Sequence, residues 1–149
     1  MYKDTVTLFN RLEGTEGDMW YPTVLRNVQL TIDRAAIQAK YGAESADSAV
    51  LHVRYADENG IILISGKPWE PPKAWERLLD HSAAITFTPG ERFDFFWLGD
   101  WGSEEPIEDT ATLGTDFYTR MNKKYDFVFA ITKVGGPFGV IPHFEIMGK

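Results

Sequence analysis

Alternation of apolar and polar side chains, broken every few residues by turn chemistry, most narrows what this chain can become. Thr5 to Phe9 sets Val6 and Leu8 against Thr5, Thr7 and Phe9, and Ala49 to Tyr55 sets Leu51, Val53 and Tyr55 against Val50, His52 and Arg54. A period of two belongs to a strand, whose successive side chains point to opposite faces. The punctuation agrees. Glu13-Gly14-Thr15-Glu16-Gly17-Asp18 predicts a hairpin loop, and Thr88-Pro89-Gly90-Glu91 a turn. Asp57-Glu58-Asn59-Gly60 predicts a tight turn, because Asn-Gly tolerates the positive φ angles that such turns need. A returning strand is expected over Met19 to Ile32, with Trp20, Val24, Val28, Leu30 and Ile32 on its buried side, and another over Ile61 to Ile64. Pro22 inside the first argues for a bulge or an edge position.

Further strands are expected over Ala83–Phe87, Phe93–Leu98, Asp126–Val134 and Ile141–Met147, the last two flanking a flexible hairpin loop, Gly135-Gly136-Pro137-Phe138-Gly139. The three prolines of Lys67 to Pro72 break regular structure. Arg34 to Lys40 suits two helical turns before a long loop to Ser48. Short helices are predicted over Lys73–His81, with Trp75, Leu78 and Leu79 on one face, and from an N-cap at Thr115 to Lys124, with Tyr118, Met121 and Tyr125 on one side. The expected fold over residues 1–149 is a single, mainly β domain. It is a small antiparallel β-barrel or sandwich of seven to eight strands, with two short helices in its connections.

Charge and composition then exclude function classes. Fifteen basic against twenty-two acidic side chains give a net charge of −7, the wrong sign for neutralising phosphates or approaching an anionic membrane. There is no cysteine, which removes disulfides, thiol nucleophiles and cysteine-ligated metals. Apolar runs are far shorter than the roughly 20 residues of a membrane helix. A soluble protein made inside a cell is expected.

His52, His81 and His143 are the three histidines, and none stands at the spacing of a helical two-histidine metal site. His143 and Glu145 lie two apart on a predicted strand, where they share a face as half-exposed residues. His81 follows Asp80 at a predicted helix end, where it complements the helix dipole. No nucleophile elbow or phosphate loop is present, and no pair stands out among the twenty-two carboxylates, so no catalytic, metal or cofactor site is assigned. Rings are abundant, with ten Phe, six Tyr and five Trp. Trp20 reads as core. Trp69 and Trp75 flank the proline-rich bend, and Trp97 and Trp101 bracket Gly99-Asp100. Interfaces enrich such rings, which makes Trp69, Trp97, Trp101 and Phe138 candidate partner contacts. The acidic tract Gly99–Gly114, with Glu104, Glu105, Glu108 and Asp109, reads as a mobile surface loop that orders only in an assembly, with Trp101 docking beside it.

Several stretches together resemble a known family. Val6-Thr7-Leu8-Phe9-Asn10-Arg11, Trp20-Tyr21-Pro22-Thr23-Val24-Leu25-Arg26-Asn27-Val28, Phe87-Thr88-Pro89-Gly90-Glu91, the run Lys123 to Ile131 and the close His143 to Lys149 are similar to small proteins of long-tailed bacteriophages and prophages. Members of that family are described as minor capsid or structural proteins and are encoded among head and head–tail joining genes. The segment order also resembles, more loosely, phage head-closure (stopper) proteins, small β-barrels that form a ring beneath the portal. The resemblance implies a virion protein, made in the bacterial host cytoplasm, that acts by assembly and not by catalysis. Its partners would be the portal or adaptor, capsid or tail components. It would form a ring in the particle, be monomeric alone, and carry acidic loop residues that face the lumen. The alternative from the residues themselves is a carbohydrate- or receptor-binding β module using exposed Trp rings.

Overall fold

In the computed structural model, which describes residues 2–33, 48–109 and 114–149, the alternating segments close into a barrel. In chain order the elements are β1 (Asp4–Leu12), β2 (Asp18–Ile32), β3 (Ala49–Arg54), β4 (Ala56–Glu58), β5 (Ile61–Ile64), β6 (Lys67–Pro68), α1 (Pro72–Glu76), β7 (Phe95–Leu98), β8 (Ile107–Asp109), α2 (Phe117–Lys124), β9 (Val128–Phe138) and β10 (His143–Gly148). Six strands pair antiparallel in the order β1-β7-β9-β10-β3-β2, and β2 returns to β1, which closes the ring. Of the two expected architectures the barrel is the one formed. β8 adds to β2 at Asp18–Trp20, and β4-β5-β6 make a separate small sheet. The Asn59-Gly60 turn joins β4 to β5 with φ of 55° and 84°, as that dipeptide predicts.

β2 runs for 15 residues, and a bulge explains how it serves two layers. Its pairing with β1 slips between Asp4↔Val28 and Val6↔Leu25, and Asn27 takes a φ of 56° at the slip. An inserted residue reverses which parity faces inward. Trp20 therefore lies outside the barrel, whereas Val28, Leu30 and Ile32 face the interior with Leu25. The single buried side expected for β2 is corrected to two. Pro22 pairs with Phe9 where β2 has only β1 as a ladder neighbour, an edge position that tolerates proline.

Two cores result. The inner one joins Val6, Leu8, Leu25, Leu51, Val53, Phe96, Phe129, Phe144 and Ile146 with Ile64, Ile85 and Phe87 from the excursion between β3 and β7. The outer one is aromatic. Phe9, Trp20, Phe95, Phe117, Met121 and Val128 pack between the barrel wall and α2, with Phe9 stacked on Phe95 at 4.7 Å. β1 is buried on both faces as a result, from Val6 to Asn10.

Several local expectations are corrected. Residues 83–87 form no full strand. Instead Ile85 makes an isolated bridge to Trp69, and Asn10 Nδ2 donates to the Thr86 carbonyl at 2.7 Å. Lys67–Pro68 is a short strand despite the prolines beyond it. α1 stops at Glu76, leaving Leu79 fully exposed. The N-cap of α2 is Asp116, whose carboxylate accepts from the Thr119 N–H at 2.8 Å, and not Thr115. The helical turns expected over Arg34–Lys40 lie outside the described residues.

Candidate functional site at the β9–β10 hairpin

Most of Gly135 to Gly139, expected as loop, continues β9, which runs through Phe138, so the turn begins at Gly139. Gly135 to Pro142 contains no charged or hydroxyl side chain. Phe138, Val140 and Ile141 are 41%, 99% and 66% exposed. Single exposed apolar residues are ordinary, but three in one tip make it a candidate contact surface. The tip is held by its backbone. The Tyr55 hydroxyl donates to the Phe138 carbonyl at 2.8 Å and the Tyr55 N–H to the Pro142 carbonyl at 3.3 Å.

At the foot of this tip, antiparallel pairing of β10 with β3 brings titratable groups together. Glu145 sits opposite His52, and His143, two residues earlier, shares its face. His143 Nε2 is 3.2 Å and His52 Nε2 3.6 Å from Glu145 Oε1, and the Phe138 ring lies 5.0 Å from the His143 ring. The Ile141 carbonyl, 2.6 Å from His143 Nδ1, holds that histidine above its ordinary value, with Glu145 adding to the effect and burial opposing it. The shared face expected of His143 and Glu145 is formed, and His52, brought in from another strand, was beyond sequence spacing. Among the described residues no three His, Cys, Asp or Glu side chains are placed to hold a metal ion.

The other candidate residues lie elsewhere. Residues 99–109 form a strap across the outside of β1 and β2. Thr7 Oγ1 donates to the Gly99 carbonyl at 2.9 Å and accepts from the Trp101 N–H at 3.0 Å. Gly99 is required where it stands, since a Cβ there would meet the Trp97 ring at 2.5 Å. Trp101 packs on Phe9 at 5.3 Å and on Trp97 at 5.9 Å, so it fills the outer core and is not a free ring beside a loose loop. The acidic groups are divided. Asp109 turns in and accepts from Trp20 Nε1 and from the Phe117 N–H, both at 3.0 Å. Glu104 pairs with Lys67 at 3.0 Å and, like Glu105 and Glu108, remains exposed. The loop expected over Gly99–Gly114 is thus corrected over 99–109 to a pinned strap ending in β8; residues 110–113 lie outside the described residues. Trp69 is half-buried against Phe144 at 5.1 Å, leaving Phe138 as the exposed member of the four candidate contacts. Trp20 is core, as expected, but in the outer layer, and Trp75 is buried with its indole N–H on the Ala84 carbonyl. His81 contacts the Glu76 carbonyl at the end of α1, in keeping with its expected role at a helix end.

Among known protein families, a family model matches residues 1–149. The chain belongs to DUF6751, a family of unknown function. No curated protein and no solved structure matches it.

Proposed function

We propose that this DUF6751 protein is a structural component of a long-tailed phage particle, acting by assembly at the head–tail junction or on the capsid. The observation that carries this reading is the uncharged tip of the β9–β10 hairpin, which presents Phe138, Val140 and Ile141 to solvent on a hydrogen-bonded backbone. Large apolar groups on a rigid support supply buried contacts at little ordering cost when a neighbour covers them. The resemblance of the Val6–Arg11, Trp20–Val28 and His143–Lys149 segments to phage minor structural proteins points the same way. In this reading the partners are portal or adaptor, capsid or tail components, the chain is monomeric alone, and the ring forms in the particle. The alternative, a sugar-binding platform of coplanar rings, gains nothing from Trp97 and Trp101, whose planes stand at 89°.

Particles produced by a host carrying the parent prophage test this directly. The chain is expected in purified particles at a fixed copy number, and Val140→Ser with Ile141→Ser is expected to remove it while the free protein still folds. Absence of the wild-type chain from complete particles would overturn the proposal.

A further inference from the structure

Besides Tyr55, a second side chain links the apolar tip to the barrel wall, and both of its ring nitrogens face acceptors. His143 Nδ1 meets the Ile141 carbonyl at 2.6 Å, and Nε2 meets Glu145 Oε1 at 3.2 Å. A carbonyl oxygen has no proton to give, nor does an ionised carboxylate, so the two contacts are both hydrogen bonds only when both ring nitrogens donate. Only the imidazolium carries two N–H groups. We propose that His143 is a proton-operated clamp on the hairpin tip: its cation ties Ile141 to Glu145, and loss of the proton severs that tie.

The surroundings fit a clamp with two positions. A neutral His143 keeps one N–H, and whichever contact retains it, the other sets a lone pair against an acceptor. Glu145 then has a second donor at hand, because His52 Nε2 lies 3.6 Å from the same oxygen. His52 Nδ1 is buried without a hydrogen-bond partner, which leaves Nε2 as the nitrogen able to act. Three strands bear on this place. From β3 come His52 and Arg54, the register partners of Glu145 and His143, with Tyr55 just beyond; the Arg54 guanidinium is drawn over the Tyr2 ring at 4.0 Å. From β9, Phe138 and Gly135 lie opposite His143 and Glu145, and Lys133 pairs farther along with Met147. From β2, uncharged Gln29 lies opposite His52. Glu145 is the carboxylate of this set, and it is shared. A histidine held above its unfolded value stabilises the folded form below that value and loses the contribution as pH rises through the folded one. The clamp is therefore closed in mild acid and open in base. It does not depend on the assembly proposal, since its readout is the hairpin of the free chain.

Nuclear magnetic resonance of the isotopically labelled full chain, titrated from about pH 5 to about pH 9, tests the clamp. The expected result is a His143 ring protonated on both nitrogens at the acid end, with a midpoint above 6.5. The Val140 and Ile141 methyl resonances should move with that midpoint. Glu145→Gln should lower both midpoints together, and His143→Gln should leave the tip resonances flat with pH. A midpoint for His143 at or below 6.5, or tip methyls that ignore its titration, would overturn the proposal.

Discussion

The strap over residues 99–109 and the hairpin tip over Gly135–Pro142 invert what their compositions suggest. The strap carries Asp100, Glu104, Glu105, Glu108 and Asp109, yet it is pinned along the barrel wall; the tip carries no charge, yet it stands in water. Partners decide the difference. Arg26 donates to Asp100 at 2.7 Å and holds that carboxyl below the usual carboxylate range, and Asp109 satisfies an indole and a helix N–H at once. Trp101 and Ile107 give the strap an apolar underside that packs on the outer core. The tip has no such underside, because its large residues sit in the turn itself. An acidic segment with donors beneath it becomes wall, and an apolar one without a covering layer stays in water.

Breaking the layer that holds the strap should have the largest effect. Phe9→Ala removes the ring that touches Phe95, Trp101 and Phe117, and is expected to cost about 3–5 kcal/mol in urea unfolding. A loss below about 1 kcal/mol would mean that the outer core is not a true core. Next comes the buried Asp94, which accepts from the Arg11 N–H, the Thr88 N–H and Asn10 Nδ2. Burial pushes it up to about 7 against those three donors. Because the folded value lies above the unfolded one, the native state holds the extra proton, and this group's contribution is complete below about pH 4 and lost as pH rises through about 7. Denaturant titrations across that window should show stability falling by up to roughly 4 kcal/mol, and Asp94→Asn should flatten the slope.

Asp109→Ala should cost roughly 1–3 kcal/mol, since it strands the Trp20 indole N–H. Trp20 fluorescence is expected to shift with it, and an unchanged melting curve would show that the strap is dispensable. The tip should respond least. Val140→Ser with Ile141→Ser is expected to stay within about 0.5 kcal/mol of wild type by thermal unfolding, which would set the proposed assembly defect apart from misfolding.

The barrel was legible because alternation is a local signal that its strands obey, and the Asn59-Gly60 turn marked the small β4-β5-β6 sheet in the same way. What escaped was set by contacts distant in sequence. Trp20 looked equivalent to Val28, and only the Asn27 bulge, fixed by pairing with β1, separates them. Strand character in Ala83–Phe87 gave way to Asn10, whose side chain takes the Thr86 carbonyl from 76 residues away. At the candidate site, His143 and Glu145 were visible as neighbours on one strand. His52 was not, because only the register of β3 against β10 brings it in. Val140 and Ile141 do carry a local signal, an eight-residue stretch with no charge.

Burial of β1 on both faces has a consequence for how the chain finds its alignment. A strand with one wet face resists sliding, because a one-residue slip would drown its apolar side chains and dry its polar ones. β1 lacks that safeguard between Val6 and Asn10, where either parity is dry. Its alignment must come from a group that fits at one position alone. Asn10 is such a group: its carboxamide donates to the Thr86 carbonyl at 2.7 Å and to Asp94 Oδ2 at 2.9 Å, and a slipped strand would set Phe9 or Arg11 against those acceptors. One buried amide thus acts as the index mark by which the barrel is threaded.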